Sequence, residues 1–236
     1  MKKPVLYIVA TVCLWLAGCG QRNASMQPFE VDKLFSNKDE VLNHLRDKCV
    51  DTISFKKGDV VADIGSGNGS VVIMLSMFHD SITFYIQDID PLVCNQEKIN
   101  SLIGYYEGLN EESFTSRFFI ATGSDTETNL PDNTFDKILM LWTYQYFKDP
   151  QAIMTDIKQK LKDDGIMYIV NPDLEKANGE KLTLKFGWNA STVEREISDI
   201  IDCGFELISI SRNYESPEHP YIMVFKKKLT GPESDV

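Results

Sequence analysis

The segment Asp63-Ile64-Gly65-Ser66-Gly67-Asn68-Gly69 places a carboxylate two residues ahead of closely spaced glycines. Gly65 and Gly67 can take positive φ and let a ligand approach the backbone. Asp63 would repel a phosphate but pair well with an amino group, so the loop suits a cationic ligand. About 20 residues past the glycines, the stretch Tyr85-Ile86-Gln87-Asp88-Ile89-Asp90 supplies Asp88, where a carboxylate at a strand end accepts hydrogen bonds from ribose hydroxyls. The dinucleotide pattern G-x-G-x-x-G is not met, because Ser70 stands where its third glycine would fall. The plainer reading of the glycines is a structural turn; their position between a strand and a helix favours a ligand site.

Positioning these groups requires a strand that ends at Ile64 and a helix that begins after Gly69. Asp59 to Ile64 is a short apolar run interrupted by Asp63, as buried parallel strands tend to be, and Ser70 to Phe78 reads as the helix. Strand and helix then alternate. Ile82–Gln87 predicts a strand, Pro91 to about Tyr105 a helix with Asp90 as its cap, and Arg117–Ala121 and Phe135–Leu141 two further strands. Asp149 is a good helix cap with Pro150 in the first turn, Ile153, Ile157 and Leu161 repeat every four residues, and Gly165 is the expected stop. Ile166–Val170 is a strand, Ser191–Cys203 a helix, and Phe205–Ile210 and Tyr221–Lys226 two strands joined by a short Pro-containing turn, which must pair as a hairpin. Ahead of the first strand, Val31 to Cys49 carries apolar residues at the spacing of one or two amphipathic helices. The expected fold is α/β: a Rossmann-like doubly wound sheet of seven strands, mostly parallel, with an antiparallel C-terminal hairpin strand.

At this point the chain resembles the class I S-adenosylmethionine-dependent methyltransferases. Val60–Ser70 matches their first motif, Tyr85–Pro91 their acidic second motif, Gly123–Leu141 the third and fourth, and Leu161–Val170 the stretch often written LKPGG followed by a strand. The likeness runs from about Gly58 to Lys226, and within the family it is nearest to the small-molecule enzymes that include the ubiquinone and menaquinone biosynthesis type. The resemblance implies S-adenosyl-L-methionine as cofactor. It implies Asp63 on the methionine amino group, Gly65, Ser66 and Gly67 along the methionine part and ribose, and Asp88 on the ribose hydroxyls. It further implies Ile89 against the adenine, Asp125 helped by Thr126 at the adenine amino group, and Leu141 and Trp142 facing the methyl donor. For Asp125 the plainer reading is a solvated loop acid.

Methyl transfer to a good nucleophile is largely a matter of placing the acceptor in line behind the methyl group, so a catalytic base can be absent. Where related enzymes often carry a histidine after the fourth strand, this chain reads Leu141-Trp-Thr-Tyr144-Gln-Tyr146-Phe147. Tyr144 and Tyr146 are therefore the candidates to orient a substrate or act as weak bases, with packing as the plainer role. The Asn-Pro-Pro-aromatic motif of amino-methylating nucleic-acid enzymes is missing there. Leu174–Ser191, with Phe186 and Trp188, is the longest irregular stretch and the expected substrate lid or a simple connection.

The chain has 24 basic against 35 acidic residues, a formal net charge of −11, which disfavours nucleic acid and other polyanionic partners. A small-molecule methyl acceptor is the expected partner. Lys2 and Lys3 followed by an uncharged apolar run to Gly18 have the layout of a secretory signal too short to span a bilayer. Leu16-Ala17-Gly18-Cys19 resembles the lipobox of bacterial lipoproteins, which implies cleavage before Cys19, acylation of its thiol and a lipid anchor in the cell envelope. Gly20, where inner-membrane retention signals usually show Asp, leans towards the outer membrane of a Gram-negative cell. An ordinary signal peptide or an uncleaved anchor is the alternative. The expected organisation is a signal peptide over 1–18, a tether over 19–28, one methyltransferase domain over 29–228 and a short tail over 229–236. Cys49, Cys94 and Cys203 show no metal-ligand spacing and read as buried inert thiols; a disulfide, a reactive thiol or an arsenic-type thiol site is the alternative.

Overall fold

The computed structural model describes residues 34–172, 192–215 and 220–229. The lipobox with Cys19, the tether, the irregular stretch with Phe186 and Trp188, and most of the tail lie outside the described residues.

One helix, α1 (Lys38–Asp47), precedes the sheet. Asn37 caps it by accepting the Glu40 N–H at 2.9 Å, and the Glu40 carboxylate returns to the Ser36 N–H at 3.0 Å, so orphan donors at the helix start are satisfied locally. The alternating part follows as β1 (Val60–Ile64), α2 (Ser70–Leu75), β2 (Thr83–Asp88), α3 (Gln96–Asn110), β3 (Arg117–Thr122), β4 (Phe135–Leu141), α4 (Pro150–Lys160) and β5 (Leu161–Pro172). It closes with α5 (Val193–Asp202), β6 (Phe205–Arg212) and β7 (Pro220–Lys227).

The seven strands form one sheet in the order β3-β2-β1-β4-β5-β7-β6. The pairs from β3 to β5 are parallel, and β7 is antiparallel to both β5 and β6. This is the doubly wound, mostly parallel α/β sheet expected, with the antiparallel strand lying inside the sheet between β5 and β6. One face is closed by Val41 and Leu45 of α1, Val72 and Ile73 of α2, and Ile99 and Tyr106 of α3 against Val61, Phe84 and Ile86. The other is closed by Ile153 and Ile157 of α4 and Ile200 of α5 against Ile138, Met140 and Ile169. At the amino ends of the strands, the buried Lys137 ammonium meets the Asp59 carboxylate, which keeps both charges compensated away from water.

Several boundaries differ from the sequence reading, among them the ends of α2 at Leu75 and α3 at Asn110, and two have a clear physical reason. Asp90 does not cap α3: its carboxylate accepts the Leu92 N–H at 2.9 Å in a local turn, and Asn95 caps the helix through Lys98 N–H. Gly165 does not stop α4, which ends at Lys160 because Leu161 already adopts extended backbone and opens β5. A Cβ on Gly165 would stand 2.9 Å from the Phe135 carbonyl and 2.7 Å from Leu161 Cδ1, so this glycine allows a close approach of β5 to β4. No helix separates β3 from β4, as the sequence implied.

Candidate active site

The carboxyl ends of β1, β2 and β4 surround a cavity of about 260 Å³. Its floor is the loop after β1, where Gly65, Gly67 and Gly69 have φ of 66°, 58° and 75°. A Cβ at Gly65 would collide with Thr143, 2.2 Å from its Cγ2, so only glycine fits between the loop and the end of β4. The loop is suspended from the end of β2. Ser66 N–H donates to the Gln87 carbonyl at 2.9 Å, Gly65 N–H to Gln87 Oε1 at 3.3 Å, and Gly67 N–H to Asp88 Oδ2 at 2.8 Å.

Asp88 accepts from Asp90 N–H through its other oxygen, at 2.9 Å. Burial pushes its carboxyl up, opposed by the hydrogen bonds from Asp90 and Gly67. Asp63 has no such support. It is 2% exposed, its Oδ1 lacks any hydrogen-bond partner, and burial, reinforced by the nearby Asp88 charge, pushes its pKa up to about 8. Ser66 Oγ is likewise buried without a hydrogen-bond partner. Orphaned buried oxygens cost free energy unless a ligand or water reaches them, and a cationic donor compensates an acid best.

On the opposite wall Leu141 ends β4, and Trp142 follows with φ 57° while its N–H donates to the Val170 carbonyl at 2.7 Å. A left-handed backbone at a tryptophan costs about 1–2 kcal/mol, which the surrounding contacts must hold. Lys48 from the end of α1 sits over the indole with Nζ 4.7 Å from its centroid. Gln145 Nε2 donates to the Trp142 carbonyl at 2.9 Å.

Of the residues singled out from sequence, the structure brings Asp63, Gly65, Ser66, Gly67, Asp88, Ile89, Asp125, Leu141, Trp142 and Tyr146 onto the cavity lining. Thr126 is exposed and off the lining, its N–H donating to Ser124 Oγ at 3.3 Å. Tyr144 is 2% exposed and lies in the core against Phe147, so it does not border the cavity. Asp125 is not a free loop acid: Lys148 donates to its Oδ2 at 2.7 Å, tying the loop after β3 to the segment before α4. The sequence reading missed Gln87, Thr143 and Lys148. Gln87 is a polar residue on a strand otherwise buried, which is a signal; Thr143 and Lys148 carry none, since their roles arise from β4 meeting the glycine loop.

The lining fits S-adenosylmethionine in its chemistry. Asp63 presents an uncompensated acid for an ammonium group, Asp88 keeps lone pairs beyond its two backbone donors for ribose hydroxyls, and Gly67 leaves open backbone, with only Val93 Cγ1 within 4 Å, at 3.9 Å, of a Cβ placed there.

Comparison with known proteins agrees. Residues 62–169 match the methyltransferase domain family. YrhH of Bacillus subtilis (strain 168), a methyltransferase by name, is 26% identical over 149 residues, covering 63% of this chain and 76% of its own. A chain from the complex of the Haloferax volcanii Trm112 methyltransferase activator with a methyltransferase superposes with a TM-score of 0.62 at 12% identity, covering 82% of this chain and 94% of its own. A SAM-dependent methyltransferase from Aquifex aeolicus gives 0.54 at 19% identity, covering 80% and 88%. The [4+2]-cyclase SpnF gives 0.57 at 13% identity, covering 82% of both chains. At these identities the superpositions establish the fold. The match to the methyltransferase domain family spans residues 62–169, and the cavity they line has the chemistry to hold S-adenosylmethionine.

Proposed function

We propose that this protein transfers a methyl group from S-adenosylmethionine to a small or lipophilic acceptor while held at a bacterial membrane by lipid on Cys19. The observation that carries the transferase reading is the buried, unpartnered Asp63 carboxyl beside a glycine loop bonded to Asp88. When bound, the cofactor supplies an electrophilic methyl on a sulfonium. The chain's own residues hold and orient: Asp63 takes the ammonium end, Asp88 the ribose, and Leu141 and Trp142 form the wall nearest the methyl group. Tyr146, whose hydroxyl burial keeps protonated, can donate a hydrogen bond to an acceptor but is a poor proton acceptor. The acceptor must therefore bring a good nucleophile or lose its proton to solvent.

The apolar groups Trp142, Phe147 and Ile153 on the lining support a lipophilic acceptor, and the acidic chain argues against nucleic acid. Titration calorimetry on the chain from Gln21 onwards tests the reading. Binding of S-adenosylmethionine or S-adenosylhomocysteine is expected; binding of NAD in their place would end it. A second reading is a binding module without turnover, favoured by a lining that, among the described residues, carries one tyrosine, held protonated, and no histidine. Slow release of S-adenosylhomocysteine from S-adenosylmethionine in the presence of candidate acceptors separates it from the first.

A further inference from the structure

The Asp63 carboxyl faces a cavity whose charged groups are distributed unevenly. From the end of β2 and the turn after it come Asp88 and Asp90, from the loop after β3 Asp125, and from the segment before α4 Lys148 with the neutral phenol of Tyr146. α2 contributes only Ser70 and Val71. The Cys94 thiol, near both Asp63 and Asp88, is pushed up to about 12, chiefly by burial, and stays neutral. Lys148 is the cation among these lining residues, and its ammonium lies 2.7 Å from Asp125. Asp63 thus sits 2% exposed, with one oxygen unpartnered and a second carboxylate nearby, and no cation among the described lining residues is bonded to it.

We propose that the cavity takes its cofactor in exchange for a proton: Asp63 is the neutral acid in the empty cavity and becomes a carboxylate when the ligand's ammonium group reaches it. The inference rests on S-adenosylmethionine being the ligand and adds how the site charges. Burial and the Asp88 charge hold the Asp63 proton into the neutral range, and an arriving ammonium reverses the balance. The balance is simple: the acid and the ammonium form an ion pair, and one proton leaves to the buffer. Affinity then rises about tenfold per pH unit while Asp63 is protonated and levels off once it is not. The empty cavity thereby avoids a bare buried charge, and a neutral ligand of the same shape can gain a hydrogen bond from the Asp63 carboxyl but no ion pair.

The test uses S-adenosylhomocysteine, which has the amino-acid ammonium without the sulfonium. Calorimetry at pH 7 in phosphate and in Tris is expected to give enthalpies that differ by the two buffers' ionisation heats for nearly one proton released. Carboxyl-carbon NMR of aspartate-labelled protein, with Asp63 assigned through Asp63→Asn, is expected to show a midpoint near 8 in the free protein. That midpoint should fall below about 5 on saturation. A free-protein midpoint in the ordinary carboxylate range, or buffer-independent enthalpies with binding intact, overturns the proton exchange. Failure of S-adenosylhomocysteine to bind at all overturns the transferase reading instead.

Discussion

Asp88 serves two ends at once. Its Oδ2 accepts from Gly67 N–H at 2.8 Å and its Oδ1 from Asp90 N–H at 2.9 Å, so it shapes the glycine loop before any ribose arrives. Removing it costs the loop a charge-assisted hydrogen bond as well as the proposed ribose contacts. Asp88→Ala is therefore expected to weaken S-adenosylhomocysteine binding at least tenfold, about 1.4 kcal/mol, and Asp88→Asn, which keeps an acceptor for Gly67, by less. Equal losses in calorimetry would show that the loop contact is immaterial; no loss in either would remove Asp88 from the site. The glycine loop and its two acids were legible because spacing alone sets them beside one another. Thr143 was not, because its contact with Gly65 depends on β4 ending level with β1, which is a matter of register.

At the scale of elements, one buried acid of α5 is hydrogen-bonded to two strands of the sheet. Glu196 is 3% exposed and accepts from Tyr221 of β7 at 2.6 Å and from Asn171 of β5 at 3.2 Å. Burial pushes its pKa up to about 7, against those two hydrogen bonds and with help from Asp199. A folded value raised above the ordinary carboxylate range means that the folded state holds the extra proton, so stability is full at low pH and declines as pH rises through about 7. Glu196→Gln is expected to flatten part of the fall in thermal midpoint between pH 5 and 7.5, leaving the share that Asp63 contributes. Parallel declines in wild type and variant would sink this account. Sequence patterning gave the order of elements but misplaced the start of α3, since Asp90 with Pro91 and Asn95 with Gln96 are both acceptable openings. The deciding fact is that Asp90 spends its carboxylate on Leu92. The end of α4 differs from the sequence pattern for a related reason: Gly165 looks like a helix stop, but tertiary closeness to Phe135 is what requires glycine there.

For the whole molecule, none of the helices among the described residues is long and apolar enough to cross a membrane. The proposed attachment is through lipid on Cys19. Cys19→Ser is expected to move the protein from the membrane fraction to the soluble one and to abolish labelling by a fatty-acid probe; retained labelling would show that another residue carries the lipid. If the proposed anchor places the domain in the envelope, catalysis there depends on a supply of a methyl donor made in the cytoplasm, and this adds weight to the silent-module reading. Nothing in the cavity itself resembles decay: each of the glycines Gly65, Gly67 and Gly69 occupies a left-handed position, and the acids remain in place.

The direct passage from β3 to β4 leaves the sheet unfinished on one side. β3 is an edge strand, and Phe119, 44% exposed, stacks on Tyr85 with a ring separation of 5.2 Å and no helix after β3 to cover it. Yet the loop that β3 leads into carries Ser124 and Asp125 of the cavity wall. One wall of the binding cleft thus hangs from a part of the fold bounded by water along an edge and on a face. A ligand that reaches Ser124 or Asp125 would add its contacts on that flank to the Lys148–Asp125 pair, which already ties the loop to the segment before α4.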